Sequence, residues 1–305
     1  MSAYKEVQNR KKQSARKAGK TATFVLSTLL VVLGAFLMLF PYFYMIVTAL
    51  KTPQEMLSSS ILKGFWPKDP QWTNFIDVFR GNAKYTRDQF NFLNAMKNTM
   101  IIEILVIPIG TFFSSLAAFA FAKMRFKGKK VILITLLSSM MIPYAAVMLP
   151  QYRAFMNLNL VNTLWPLILP GFFGNTGMML FLITSMKHSI PDSLIEESRV
   201  EGSGWFRIYY KVALPLCKPA LIAQVLFWFV GIWNDFFGPS IYLTDPSLKT
   251  VQIALMTLNS TASQASTDIP FLMASAFMSS LPIILLFMIM NKSFVQTNVN
   301  EGIKG

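Results

Sequence analysis

The sequence predicts an all-α integral membrane protein with six transmembrane helices, and three observations carry that prediction. Hydrophobic residues make up 53% of the 305-residue chain and charged residues only 14%, about half of the ~25% charge a soluble domain carries. Long apolar runs recur, each near the roughly 20 residues a helix needs to cross a hydrocarbon core about 30 Å thick. Lysine and arginine give a net charge of +14, and they fall in blocks between those runs. The composition also excludes other classes. A disordered chain would be charge-rich and apolar-poor. A single cysteine, Cys217, leaves no disulfide scaffold. With one histidine, His188, it leaves no ligand set for zinc, haem or an iron–sulfur cluster.

The first span covers about Thr21 to Leu50, with no charge between Lys20 and Lys51. It is too long for a cleavable signal segment and reads as a retained anchor, kinked at Pro41. The second covers about Asn98 to Phe121 and is interrupted only by Glu103. Its later Gly, Ser and Ala residues permit close helix packing. The third covers about Val131 to Pro150. The fourth, about Leu164 to Met186, is broken by Pro166, Pro170 and Gly171. The fifth runs from about Ala220 to Tyr242 and the sixth from about Pro270 to Met290. None shows the period-two alternation of barrel strands.

Orientation follows from the basic residues. Nineteen Lys and Arg fall in residues 1–20, in the loop after span two, between spans four and five and in the C-terminal tail, against nine on the other face. Both termini are therefore expected in the cytoplasm. The chain divides into a basic cytoplasmic segment (1–20), a six-helix transmembrane domain (21–293) and a cytoplasmic tail (294–305). Within the domain lie an outer loop (51–94) and a cytoplasmic loop (190–218). Trp66, Trp72, Phe75, Phe79, Phe90 and Phe92 give the outer loop material to hold some structure. Residues 244–268, rich in Ser and Thr, read as a second outer loop. The basic N-terminal run is an orientation signal that touches anionic lipid, not a nucleic-acid site.

Apparent motifs fail on their mechanics. Gly19-Lys20-Thr21 resembles the end of a phosphate-binding loop, but Ser14 stands where the leading glycine belongs and no strand precedes it. His188 reads as an interface residue at a helix end. No clustered His, Cys or paired acids point to a membrane-bound enzyme.

The loop from Ile190 to Leu221 carries distinct chemistry. Asp192 or Ser193 can cap a helix, Ser193 with Glu196 makes a capping box, and Glu196 and Glu197 then lie in the first turn, where the helix dipole favours acids. Gly202 breaks this helix and Gly204 loosens the restart. Trp205, Phe206, Ile208 and Tyr209 form an apolar stripe, and Pro215 and Pro219 bound the approach to span five. A helix–bend–helix this short cannot stabilise itself and must dock on lipid or on a partner. Its acids argue against lipid for the first half.

On these residues the loop resembles the signature loop of permease subunits of bacterial ATP-binding-cassette importers: Glu-Ala-Ala, three positions, Gly, nine positions, Ile-x-Leu-Pro. Glu196-Glu197-Ser198 fills the first three places, Glu201-Gly202 the acid–glycine pair, and Ser203 to Lys211 the spacer before Val212-Ala213-Leu214-Pro215. Glu197 and Ser198 depart from the two alanines. Trp233-Asn234-Asp235 and the C-terminal Glu301-Gly302-Ile303-Lys304-Gly305 are similar to carbohydrate-import permeases of the maltose-transporter type, and to the smaller permease subunit of that system.

The resemblance implies the type I importer permease architecture in a bacterial inner membrane. It implies a homologous second permease, two cytoplasmic ATPases that bind ATP and magnesium, and an extracytoplasmic solute-binding protein that delivers a sugar. This chain would hold no cofactor. Glu196, Glu197, Ser198, Glu201, Gly202, Ser203 and Pro215 would form the ATPase-coupling element. Asn98, Glu103, Trp233, Asn234 and Asp235 offer amides, acids and an aromatic face for a sugar, and equally serve to lock helix ends. A secondary transporter or channel is the alternative.

Overall fold

A computed structural model of the chain describes residues 2–58, 64–80, 91–262 and 269–302. Among these residues every regular element is helical. α1 (Ser2–Ala49) runs unbroken through Pro41 and begins inside the basic N-terminal segment. The loop after it holds α2 (Pro53–Ser58) and α3 (Thr73–Arg80). α3 is tied back where buried Asn74 donates its Nδ2 to the Ala49 carbonyl at 2.8 Å. Of the aromatics expected to organise this loop, Phe79 meets Phe92 edge-on and Phe75 meets Phe277. Trp66 and Trp72 stay largely exposed, and Phe90 lies outside the described residues.

α4 (Phe92–Lys123) is the mast of the bundle. At 32 residues and 1.5 Å per residue it reaches about 48 Å. The chain then folds through α5 (Lys129–Ser139), α6 (Tyr144–Asn157), α7 (Trp165–Phe172), α8 (Thr176–Ser189) and the short α9 (Asp192–Val200). Next come α10 (Trp205–Ile208), a π-helical turn (Tyr209–Ala213), α11 (Leu214–Leu216) and α12 (Lys218–Trp233). α13 (Phe237–Tyr242), a 3₁₀ turn (Pro246–Leu248), α14 (Val251–Ala262) and α15 (Ile269–Gly302) complete it. α4 packs against α7, α8, α12 and α14, and α15 packs against α1, α3, α12 and α14. α15 carries the chain well into the segment expected to be a tail.

Three expected spans are not single straight helices. The third is a bent pair, α5 and α6 meeting at 94°, because Pro143 caps α6 without an N–H to continue α5. The fifth ends at Trp233, and Asn234 to Phe236 separate it from α13. At its other end the arm from Trp205 to Leu216 meets α12 at 79°. The fourth breaks between α7 and α8 at Gly174, whose φ is +85°. Among the described residues there are thus four helical stretches long and apolar enough to cross, with α7 and α8 together counted as one, and up to six when each bent pair forms one.

The expected second outer loop is also corrected. Most of its described part is α14, whose Val251, Ala254, Leu255 and Leu258 make an i, i+3, i+4, i+7 stripe packed into the core with Phe271 and Trp233. Residues 263–268 lie outside the described set.

Small residues let α4 sit close to its neighbours. A Cβ on Gly110 would lie 2.1 Å from Cη2 of Trp228 and 2.5 Å from the Gly171 carbonyl oxygen, and one on Gly171 would lie 2.5 Å from Val106 Cγ1. Gly110→Ala is therefore expected to destabilise the bundle by about 1–3 kcal/mol, the usual cost of overpacking. Gly34→Ala, which meets nothing within 4 Å, should leave stability unchanged or slightly improved. Thermal unfolding of the two purified variants in detergent checks this, and equal stabilities would contradict it.

Candidate functional site

The loop between α8 and α12 forms a knuckle at the end of the bundle that carries the Lys123–Lys130 basic run. Its helix starts two residues earlier than the capping box of Ser193 and Glu196 requires. Pro191 is the N-cap, with φ −62° and ψ 140° and no side-chain cap bond. Asp192 is the first-turn acid, Ser193 lies inside the helix, and Glu196 and Glu197 fall in its middle. The reason is a competing partner. Lys123, with a side chain only 4% exposed, donates to the Ile190 carbonyl at 2.6 Å and to Asp192 Oδ1 at 2.7 Å. That bond holds the Asp192 carboxyl below its ordinary range and draws it away from the helix N–H groups. Lys123 was not among the candidates the sequence offered, since pairing the two basic and acidic loops requires the fold.

α9 ends in a Schellman motif. Gly202 N–H donates to the Arg199 carbonyl and Ser203 N–H to the Ser198 carbonyl, both at 3.0 Å. Gly202 takes φ +83°, a conformation that disfavours a Cβ. Nothing lies within 4 Å of where that Cβ would sit, so the requirement for glycine is conformational. Ser198 Oγ donates to the Leu194 carbonyl at 2.8 Å and is spent inside the helix. Arg199 donates to the Ser203 carbonyl at 3.1 Å and lies 4.9 Å above the Trp205 ring, so the bend is braced from within.

One face of the knuckle is buried. Ile195, Ile208 and Tyr209 join Phe119, Leu182 and Met186 in a core cluster. Tyr209 Oη and Ser115 Oγ lie 2.8 Å apart, linking the π-helical turn to α4. Phe206 and Tyr210, expected and unexpected parts of the aromatic half, face out. The opposite face presents Glu196, Glu197, Glu201 and Val200, the last 90% exposed. Pro215 sits exposed within α11, just before the bend at Cys217. A groove of about 550 Å³ between α9 and the end of α4 is lined by Lys123, Arg125, Asp192, Glu196, Arg199 and Trp205. An acidic and apolar ridge on a firmly anchored base is suited to dock into a partner's cleft.

The five residues offered for a solute route do not converge as one site. Asn98 is buried and donates to the Ser247 carbonyl at 2.8 Å and the Lys249 carbonyl at 3.0 Å. Trp233 is buried, stacks on Phe229 and donates from Nε1 to the Ser279 carbonyl at 2.9 Å. These two hold helix ends together. Asn234 is exposed, donates to the Val230 carbonyl and accepts from Gln252 Nε2 at 3.2 Å. Asp235 is half-buried and accepts from the Gly238 N–H at 3.1 Å. Glu103 lies about three turns into α4. It is 2% exposed, and neither carboxylate oxygen has a hydrogen-bond partner among the described residues. A buried ionised acid without a partner is costly, and acids inside spans mark function by default.

A family model described as the binding-protein-dependent transport system inner membrane component matches residues 110–298. The arabinooligosaccharides transport system permease protein AraQ of Bacillus subtilis is 27% identical over 278 residues, 91% of this chain and 95% of that protein. The melibiose/raffinose/stachyose import permease protein MelC of the same organism is 27% identical over 290 residues, 95% and 100% of the two chains. In structure, the chain is similar to a bacterial ABC transporter involved in the import of the acidic polysaccharide alginate, with a TM-score of 0.73 at 20% identity, covering 88% of this chain and 95% of that one. That likeness supports the type I importer permease fold. The matched region takes in the glycine-packed half of α4, the knuckle and both bent pairs. The chain belongs to the inner membrane components of binding-protein-dependent transport systems, a family of transport subunits rather than enzymes.

Proposed function

We propose that this chain imports a sugar or oligosaccharide as one of two homologous permeases, driven by two cytoplasmic ATPases that hold ATP and magnesium. A solute-binding protein on the far side delivers the solute. The end bearing the knuckle is then cytoplasmic, with both termini on that side. Sugar is the solute class named for the relatives AraQ and MelC. The observation that carries the coupling role is the knuckle itself: a helix held by Lys123 and Ile195, turned by Gly202, with Glu196, Glu197, Glu201 and Val200 presented outward. Glu196 and Gly202 are its most telling members, and Ser203 and Pro215 set its bend. Moving a two-state gate from 1:99 to 99:1 takes about 5.5 kcal/mol, so the element that transmits it must be stiff at its base.

Asn234 and Asp235 are the residues we place on the solute route, because they are accessible at the end of α12. Asn98 and Trp233 serve as locks beside it, and Glu103 lies beneath them.

Two outcomes test this reading. Gly202→Val forces a β-branched residue into the left-handed region at about 1–2 kcal/mol. In proteoliposomes holding the whole importer, it is expected to cut solute-stimulated ATP hydrolysis and uptake together by about tenfold, the effect of ~1.4 kcal/mol. Gly202→Asn, which tolerates that conformation, should retain most of both. Wild-type rates in the Val variant would remove the coupling role. Asp235→Asn, which keeps an acceptor for Gly238 and loses the charge, is expected to raise the uptake KM several-fold, because a hydrogen bond to a charged group is worth about 1 kcal/mol more than one to a neutral group. ATP hydrolysis without solute should stay unaltered. An unchanged KM would place the route elsewhere.

A further inference from the structure

The two halves of the knuckle are mounted on the bundle unequally. The second half lies along α4 through aromatic contacts: Tyr209 with Phe112 and Phe119, ring centroids 6.4 and 5.6 Å apart, and Trp205 with Phe119 at 6.3 Å. The hydrogen bond between Tyr209 and Ser115 fixes it there. The first half, α9, carries Glu196 and Glu197, and Ile195 is the one side chain it buries. α9 also lies between two non-helical joints, at Ile190–Pro191 and at Glu201–Gly204. Burial of one isoleucine is a non-directional attraction. It holds α9 against the bundle without setting its angle.

Hydrogen bonds are directional, and Lys123 supplies them. Its two acceptors stand on opposite sides of the first joint: the Ile190 carbonyl at 2.6 Å follows the end of α8, and Asp192 Oδ1 at 2.7 Å belongs to the first residue of α9. One buried ammonium at the last turn of α4 therefore spans the joint, where Pro191 has no N–H to continue a helix. Lys123 and Ser115 are eight residues apart on α4, about 12 Å at 1.5 Å per residue. A rod held at one point pivots. Held at two points that far apart, it keeps a fixed angle to α4.

We infer that Lys123 is a positioning residue for energy coupling: its two bonds lock α9 to α4, so that a partner acting on the acidic face moves α4 instead of swinging α9 about its joints. The inference rests on the coupling role proposed above for the knuckle. Without Lys123, α9 still presents Glu196, Glu197 and Glu201 to the partner, and Ile195 still holds it to the bundle. Nucleotide hydrolysis then works a loose joint, and less solute crosses for each ATP hydrolysed.

Proteoliposomes holding the whole importer test this through the solute taken up per ATP hydrolysed, a ratio that the amount of assembled complex does not alter. Lys123→Met keeps an apolar stem and removes the donors. It is expected to lower the ratio about tenfold, the order set by one hydrogen bond to a charged group, while the ATPase subunits copurify in their wild-type proportion. Lys123→Arg, which keeps donors for both acceptors, should recover most of the ratio. An unchanged ratio in the Met variant, with uptake and hydrolysis either both normal or both reduced, would overturn the inference and leave Lys123 a structural fixture. If the Met variant fails to assemble, Asp192→Asn carries the test, because that side chain is 82% exposed and asparagine keeps an acceptor without the charge. It is expected to lower the ratio about threefold, and an unchanged ratio there would equally overturn the inference. The two readings fail separately. Wild-type rates in Gly202→Val would remove the coupling role itself, whereas loss in Gly202→Val with an unchanged ratio in Lys123→Met would remove Lys123 alone.

Discussion

The constraint on which the rest depends is that α4 must be approached closely along its whole length. Lipid offers neither hydrogen bonds nor a hydrophobic drive between helices, so van der Waals contact at small residues has to hold the bundle. Gly110 and Gly171 leave room for Trp228 and Val106, and Gly174 meets Ser114. The result is one long helix clasped at both ends. At its start Asn94, Asn98 and Thr99 grip the segment from Ser247 to Val251. At its finish Lys123 grips Ile190 and Asp192.

That arrangement gives the knuckle mechanical consequence. A partner that pulls on α9 pulls on a lysine at the end of α4, and through Tyr209 and Ser115 on the same helix about two turns further in. α4 carries the displacement to the opposite face, where it is fastened to the loop before α14. The breaks in the fold lie away from this rigid line. The bends fall between α5 and α6 and at Cys217, at points where prolines deny the backbone its continuing bonds. A rigid mast with hinged neighbours is the geometry that rigid-body rocking requires.

The two ends of the molecule use polar chemistry differently. At the knuckle the polar groups are either spent internally, as with Ser198 and Arg199, or left on the surface, as with the three glutamates. At the opposite end Asn98 and Trp233 are consumed in fastening helices, which leaves Asn234 and Asp235 accessible and Glu103 sealed without a partner. Sequence chemistry alone grouped these five together. Their division follows from which side of α4 and α12 each faces.

Much of the protein was legible in its sequence. The bilayer imposes a length and an apolarity on each crossing, and those requirements show directly in the runs of residues. Gly202 marked the end of α9 because a left-handed turn at a helix end demands glycine. Tertiary structure decided what sequence could not. Lys123 pins the start of α9 at Asp192, ahead of the capping box, a pairing between residues 69 positions apart. α14 appeared in a Ser- and Thr-rich stretch because Val251, Ala254, Leu255 and Leu258 found a core to bury in. Local pattern fixes which segments enter the membrane. Which polar groups meet inside depends on contacts between helices, and those exist only once the helices have packed.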